Sequence, residues 1–169
     1  MYLTIVTVVA KRNPLVFLKD IRNAQVLAFS TSSSAATMPL SIKTAEDNLK
    51  IRPKIVRLVI PLGTTVNMDG TALYQIIAAL FLVQALGIDL STMQLAILSV
   101  TIIGASIGSP GSPGVGLIIL ATILSQIGVD DEGIALILGV DRLLDMCRTT
   151  LNVTGDLTAA AVMDRWVKA

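Results

Sequence analysis

Apolar residues run along this chain in blocks that are interrupted by polar residues, and the interruptions recur. The first block, Met1 to Ala10, is shorter than the about 20 residues a bilayer span needs and has no charged region ahead of it, so it does not read as a signal peptide. Residues 1–13 therefore predict the end of a truncated transmembrane helix. Residues 14–50 hold two moderately apolar arms around Ser30-Thr31-Ser32-Ser33-Ser34-Ala35-Ala36-Thr37-Met38-Pro39. Lys19, Asp20 and Arg22 before that tip, with Lys43, Glu46 and Asp47 after it, leave each arm too short and too polar to span alone, which predicts a re-entrant helical hairpin. Residues 55–86 are long enough to span but are interrupted at Asn67-Met68-Asp69-Gly70-Thr71, a broken helix.

The next blocks repeat this order. In residues 92–128, apolar arms from Met93 to Ser106 and from Val115 to Ile127 flank Gly108-Ser109-Pro110-Gly111-Ser112-Pro113-Gly114, a second hairpin. Residues 133–164 form a second long helix, carrying Asp141, Asp145, Arg148, Asn152 and Asp156, and residues 165–169 read as a tail. Lys11, Arg12, Lys19, Arg22, Lys43, Lys50, Arg52, Lys54 and Arg57 gather at the open end of the first hairpin, and Arg165 and Lys168 close the chain, so these ends are cytoplasmic. The turns at Gly87-Ile88-Asp89 and Asp130-Asp131-Glu132 carry no Lys or Arg and face outward. The pattern predicts an all-α membrane protein with two re-entrant hairpins and two long helices, one broken, as an inverted repeat. Interrupted segments at corresponding positions of two inverted halves point to a binding site near the bilayer midplane.

Composition agrees with the bilayer as solvent: 53% of residues are hydrophobic and 15% charged, against roughly 25% charged in soluble domains. A net charge of +1 without a long run of one sign gives no nucleic-acid footprint. The chain has no histidine and a single cysteine, Cys147, which excludes imidazole metal sites, histidine-assisted nucleophiles and an intrachain disulfide.

In the last helix Asp141, Asp145, Arg148, Asn152 and Asp156 fall at about 0°, 40°, −20°, 20° and 60° around the axis, one stripe roughly 80° wide. Each ionisable group at membrane depth costs about 2.5–3.5 kcal/mol, so the stripe needs partners. A self-satisfied Asp/Arg ladder that only packs helices is one reading, yet three acids against one arginine leave charge for cations to balance. The Arg148 guanidinium suits a carboxylate and Asp145 an ammonium, which together describe an acidic amino acid. Arg142 lies beside the stripe, and its role stays open. At Asn67 to Gly70 backbone carbonyls lose their helical partners and become ligands for a hard cation, with Asp69 and Asp156 supplying charge for sodium or protons. The competing reading there is a glycine kink for packing. Thr37 before Met38-Pro39 and Ser112 before Pro113 read as helix caps, aiming unpaired amides at a ligand. As bare composition the serine run would be a linker and the second tip an inert turn, but the glycines between 108 and 116 offer hinge freedom for a lid. An intramembrane aspartyl protease using Asp69 with Asp141 or Asp156 wants a Gly-x-Gly-Asp context, and Thr154-Gly155-Asp156 lacks its first glycine. No enzyme is predicted.

Thr31 to Pro39, Pro61-Leu62-Gly63-Thr64-Thr65-Val66-Asn67-Met68-Asp69-Gly70-Thr71-Ala72-Leu73-Tyr74, Ser106 to Gly114 and Asp145 to Asp156 resemble, in order and spacing, the signature segments of the dicarboxylate/amino acid:cation symporters, the glutamate transporter family. That resemblance implies a homotrimer in the plasma (inner) membrane, each multi-pass subunit pairing a scaffold with an elevator-type transport domain gated by the second hairpin. Substrate would meet Ser32, Ser34, Gly111 and Ser112 at the tips and the side chains of Thr71, Asp145, Arg148, Thr149 and Asn152. One sodium would use Gly63, Asn67, Asn152 and Asp156; a second Thr65, Ser106, Ile107 and Ser109 near Met68; a third Asn67 and Asp69. No cofactor is implied beyond sodium as coupling ion. C4-dicarboxylate carriers of the family keep the arginine without the aspartate, and neutral amino acid carriers lack the arginine, so Asp145 with Arg148 points to glutamate or aspartate. Family members carry an arginine at the position of Ser32 or of Met146; this chain has neither. Ala35 interrupts the usual serine run, and Pro110 and Ser112 make the second tip unusual. Family chains are over twice as long, so the expectation is a fragment lacking the N-terminal scaffold half, unable to transport alone, or a non-transporting remnant or subunit.

Overall fold

The computed structural model describes residues 1–168, without the side chains of residues 131 and 168. Every regular element among them is an α-helix: α1 Tyr2–Val8, α2 Pro14–Thr31, α3 Ser34–Asp47, α4 Pro53–Val66, α5 Asp69–Ala85, α6 Thr92–Ser106, α7 Val115–Ser125 and α8 Asp131–Lys168. The expected tail continues α8 as far as Lys168, and Ala169 lies outside the described residues. Local chemistry sets most of the starts. Asn13 caps α2 by accepting from the amides of Leu15 and Val16, with Pro14 in the first turn; α4 opens on Pro53; and Ser91 with Gln94 forms a capping box on α6.

The hairpin caps differ from the sequence expectation. Ser32 turns left-handed at φ 51°, ending α2, and Ser33 caps α3 by accepting from Ala36 N at 3.1 Å. Thr37 is already inside α3, buried, and donates to the Ser33 carbonyl at 2.8 Å. Pro39 thus sits in the second turn and not the first. At the other tip Ser112 lies in a turn, its N–H donating to the Pro110 carbonyl at 2.8 Å, and α7 starts after Gly114, which adopts φ 77° without a side-chain cap. A left-handed position is cheap only for glycine, which is why the helix waits for Gly114.

The α2–α3 and α6–α7 hairpins enter the bundle from opposite ends. At the first end Asn48 bonds the Asp20 carbonyl, and Arg52 Nε donates to Asp164 Oδ1 at 2.7 Å. At the other, Gly133 packs against Leu86 and Val129. Helix α8, about 57 Å long at 1.5 Å per residue, runs past both. It carries two apolar cores. One gathers Phe17, Ile21, Ile60 and small residues such as Ala24, Ala28 and Ala45 against Val153–Val162; the other gathers Leu82, Ile102 and Leu120 against Ile134 and Ile137. Small residues let helices approach closely where a lipid solvent provides little hydrophobic drive. Between the cores lies a polar layer from Asp141 to Asn152, and both tips meet there.

The one helical segment long and apolar enough to cross a membrane, among the described residues, is Pro53–Ala85. Its interruption is held open from α8. Asn67 and Met68 leave helical geometry, at ψ 80° and 43°, and the orphan Gly70 N–H donates to Asn152 Oδ1 at 2.7 Å. A side chain of α8 thus replaces a missing helical carbonyl.

Candidate functional site

All five stripe residues of α8 are buried, and Asp145 and Arg148 face the meeting point of the tips. Arg148 Nε donates to Asp145 Oδ1 at 2.8 Å, while the amide of Gly114 donates to Asp145 Oδ2 at 2.9 Å. The guanidinium lies over the Tyr74 ring, 4.8 Å from its centroid, and directly against Gly116, whose missing side chain makes room for it. Tyr74 in turn donates to Asp141 Oδ1 at 2.6 Å, and Gln75 Nε2 to the Gly116 carbonyl at 2.7 Å. Asp145, the Tyr74 ring and Gly116 thus hold the guanidinium, and Gly114, Asp141 and Gln75 hold those three in turn.

A narrow pocket, with about 10 Å³ open to the centre of a water-sized sphere, is lined by Ser32, Ser34, Thr71, Gly111, Ser112, Asp145, Arg148, Thr149 and Asn152. Every substrate residue expected from the sequence is in that lining. Met68 and Ser109 join them; Arg142 does not, being exposed. Arg148 Nη1 and Ser32 Oγ are buried without a hydrogen-bond partner among the described residues. An orphaned cationic donor beside an orphaned hydroxyl is the arrangement a carboxylate satisfies. The pocket is shut by the tips themselves: Ser33 Oγ and Ala35 N both donate to the Gly111 carbonyl, at 2.8 and 3.2 Å.

The expected cation ligands divide. Asn67 Nδ2 donates to Asn152 O at 3.1 Å and Asp156 Oδ1 at 2.9 Å, and Asp156 packs against the Cα of Gly63. Asp69 is exposed and accepts from the Tyr2 hydroxyl at 2.7 Å. Asn152 Nδ2 reaches Met68 Sδ at 3.2 Å and Thr71 Oγ1 at 3.1 Å, bridging the two groups. Thr65 O accepts from Gly108 N at 2.8 Å and Ser106 O from Ser109 N at 3.2 Å, which brings the α4 end to the second tip, where Ile107 also lies. Each carbonyl keeps a second lone pair for a cation. The sequence pattern points to no role for Tyr2, Tyr74 or Gln75, and it marks Gly116 only as one of the hinge glycines of the second tip, not as the seat of the guanidinium. A tyrosine or glutamine in an otherwise apolar block was the available signal, since each has a polar group to satisfy.

The fold is an all-helical bundle whose charged groups converge where two opposed hairpins meet, and among the described residues it holds one helical segment, Pro53–Ala85, long and apolar enough to cross a membrane. The chain belongs to the Sodium:dicarboxylate symporter family, whose model matches residues 1–166. A Caenorhabditis elegans protein named as a sodium-dependent excitatory amino acid transporter is 46% identical to it over 94% of this chain and 32% of its own length. Excitatory amino acid transporter 1 of Ambystoma tigrinum is 42% identical over 92% of this chain and 29% of its own, and excitatory amino acid transporter 5 of Homo sapiens 43% over 92% and 28%. The chain thus spans 28–32% of the length of these relatives.

Proposed function

We propose that this chain is the ligand-binding core of a symporter that couples an acidic amino acid, glutamate or aspartate, to sodium. The observation that carries the reading is the Asp145–Arg148 pair at the meeting tips, with Arg148 Nη1 and Ser32 Oγ buried and unpartnered. The substrate's carboxylate completes the guanidinium and the Ser32 hydroxyl. Its ammonium takes the Asp145 oxygen that Gly114 N now occupies. Admission requires the second tip to leave Ser33 and Ala35, so the α6–α7 hairpin is the gate.

Sodium binds beside this pocket. The Asn67 amide bridges Asn152 O and Asp156 with its positive end, and turning it over exchanges a donor for an oxygen, completing a hard-cation cage with Asp156. Asn152 touches both the cage and the pocket, through Asn67 and Thr71, which couples the two occupancies. In this reading both hairpins are re-entrant and the whole moves as the elevator part of a homotrimeric plasma-membrane carrier. The family membership and the names of the relatives support it. No catalytic step is assigned.

The test is binding of labelled L-aspartate to the purified chain, alone and joined to the N-terminal portion of a relative, with sodium or with choline. Saturable binding that needs sodium is expected. Binding indifferent to sodium removes the coupling ion from the proposal, and retention after Arg148→Cys removes the carboxylate assignment.

A further inference from the structure

At the end of the bundle that carries the first hairpin's open ends, a pocket of about 260 Å³ lies between the α1–α2 link and the last turns of α8. Its lining is Ala10, Lys11, Arg12, Ala161, Asp164 and Arg165, three cations and one acid over a floor of small apolar side chains. The acid is engaged elsewhere. Asp164 is 2% exposed, and Arg52 binds its Oδ1 through both Nε at 2.7 Å and the backbone amide at 3.2 Å. Arg12 Nη1 donates to the Leu49 carbonyl at 2.7 Å, which holds that side chain at the pocket wall. Among the described residues, no ion pair involves Lys11, Arg12 or Arg165.

Two further features say what this concentration of positive charge faces. Trp166, the chain's single tryptophan, follows Arg165 and is 62% exposed, beside Val167 at 56%. An exposed tryptophan flanked by basic residues at a helix end marks the membrane–water boundary. Val8, Leu15 and Val16 are also exposed on the helices that meet at the link, an apolar surface next to the charged one. Cations at headgroup level above apolar surface are complementary to a phospholipid, whose phosphate and acyl chains sit in that order. Lys19, Arg22, Lys43, Lys50, Lys54 and Arg57 belong to the same end, so by the distribution of charge this is the cytoplasmic leaflet, the one rich in anionic lipid.

We propose that the pocket between the α1–α2 link and the end of α8 binds the phosphate of an anionic phospholipid headgroup. Free phosphate shares the chemistry of the phosphate but makes no use of the tryptophan and the apolar rim. The site is separate from the amino-acid pocket and stands or falls without it.

Trp166 is a built-in reporter. The purified chain is placed in phosphatidylcholine vesicles containing phosphatidylglycerol or phosphatidylcholine brominated on the acyl chains, and quenching of its fluorescence is followed against the brominated fraction. Phosphatidylglycerol is expected to quench at the lower fraction. The double variant Lys11→Gln with Arg165→Gln reduces that preference, by up to about fivefold for each cation removed. Lys43→Gln with Lys54→Gln, at the same end but outside the pocket, leaves it intact. Equal quenching by both lipids in the unaltered chain overturns the proposal. So does equal loss in both double variants, which assigns the preference to diffuse surface charge. Displacement of the brominated phosphatidylglycerol by excess inorganic phosphate assigns the site to the free anion, while failure to displace it supports the lipid.

Discussion

The two hairpins are alike in sequence pattern and unlike in how they are held. The arms of the first lie along α8, where Ala24, Ala28 and Ala45 are buried, and its tip is tight, with Ser32, Ser33 and Ser34 buried and Ser33 capping α3. The second has more apolar arms, yet α6 packs on α5 and α7, and α7 meets α8 over a short stretch. Its tip, residues 107–114, has glycines 108 and 114 left-handed with open space around them. What holds it is polar: Gly108 N to Thr65, Gly111 O to Ser33 and Ala35, Gly114 N to Asp145, and Gly116 O to Gln75. In lipid, apolar surface alone provides little drive for one helix to stay against another. A hairpin tied at its tip by a few hydrogen bonds to the groups proposed to bind ligand is therefore, in the proposed function, the one a ligand would release or lock.

The largest expected effect comes from removing the charge at the centre of those ties. If Asp145 is the partner of the substrate ammonium as proposed, Asp145→Asn removes that partner and leaves the buried Arg148 uncompensated, so affinity for labelled aspartate should fall at least about 100-fold. Amide exchange should rise at the second tip and not at Ser32 to Ser34. Equal loosening of both tips would erase the contrast between the hairpins. Next comes Gly70→Ala. Its Cβ would run into the Arg148 carbonyl and lie 2.9 Å from the Leu151 side chain, and backbone cannot swing aside. Helix α5 must back away from α8, and overpacking of this kind costs about 1–3 kcal/mol, read as a lowered unfolding temperature in detergent. Because α6 and α7 pack on α5, the second hairpin should loosen with it while the first core holds.

The helical class was legible because polar residues inside apolar blocks have few explanations in a bilayer, and the break at Asn67 was legible for the same reason. The inward face of α8 followed from spacing alone. Convergence of Ser32, Thr71, Gly111 and Asp145 on one pocket did not: those residues are far apart in sequence, and the resemblance to a family supplied the grouping. The caps were not legible, because proline favours a first turn without being confined to it. Pro39 tolerates the second turn of α3, and a left-handed Ser32 lets the helix begin at Ser34. The partnerships of Tyr2 with Asp69 and of Gln75 with Gly116 depend on helix packing that no local pattern encodes.

Ser33 joins the two hairpins, capping α3 and donating to Gly111. Ser33→Ala should cost about 1 kcal/mol, the usual value of a cap, with exchange rising at Ala36 and at the second tip together. If only Ala36 responds, the tie to Gly111 contributes nothing to closure.

The smallest effect is the most selective. Gly104 lies inside α6, and an added Cβ would meet nothing within 4 Å. Gly104→Ala should therefore stiffen one arm of the second hairpin and stabilise it by about 0.5–1 kcal/mol, leaving every tie at the tip untouched. If the hairpin opens at residues 107–114, aspartate affinity and its rate of release should stay within twofold of the unaltered chain, a bound of about 0.4 kcal/mol. Slower release in Gly104→Ala would instead put the bend inside α6. The loosely held hairpin would then open by flexing along its arm, and the left-handed glycines at its tip would only close the turn.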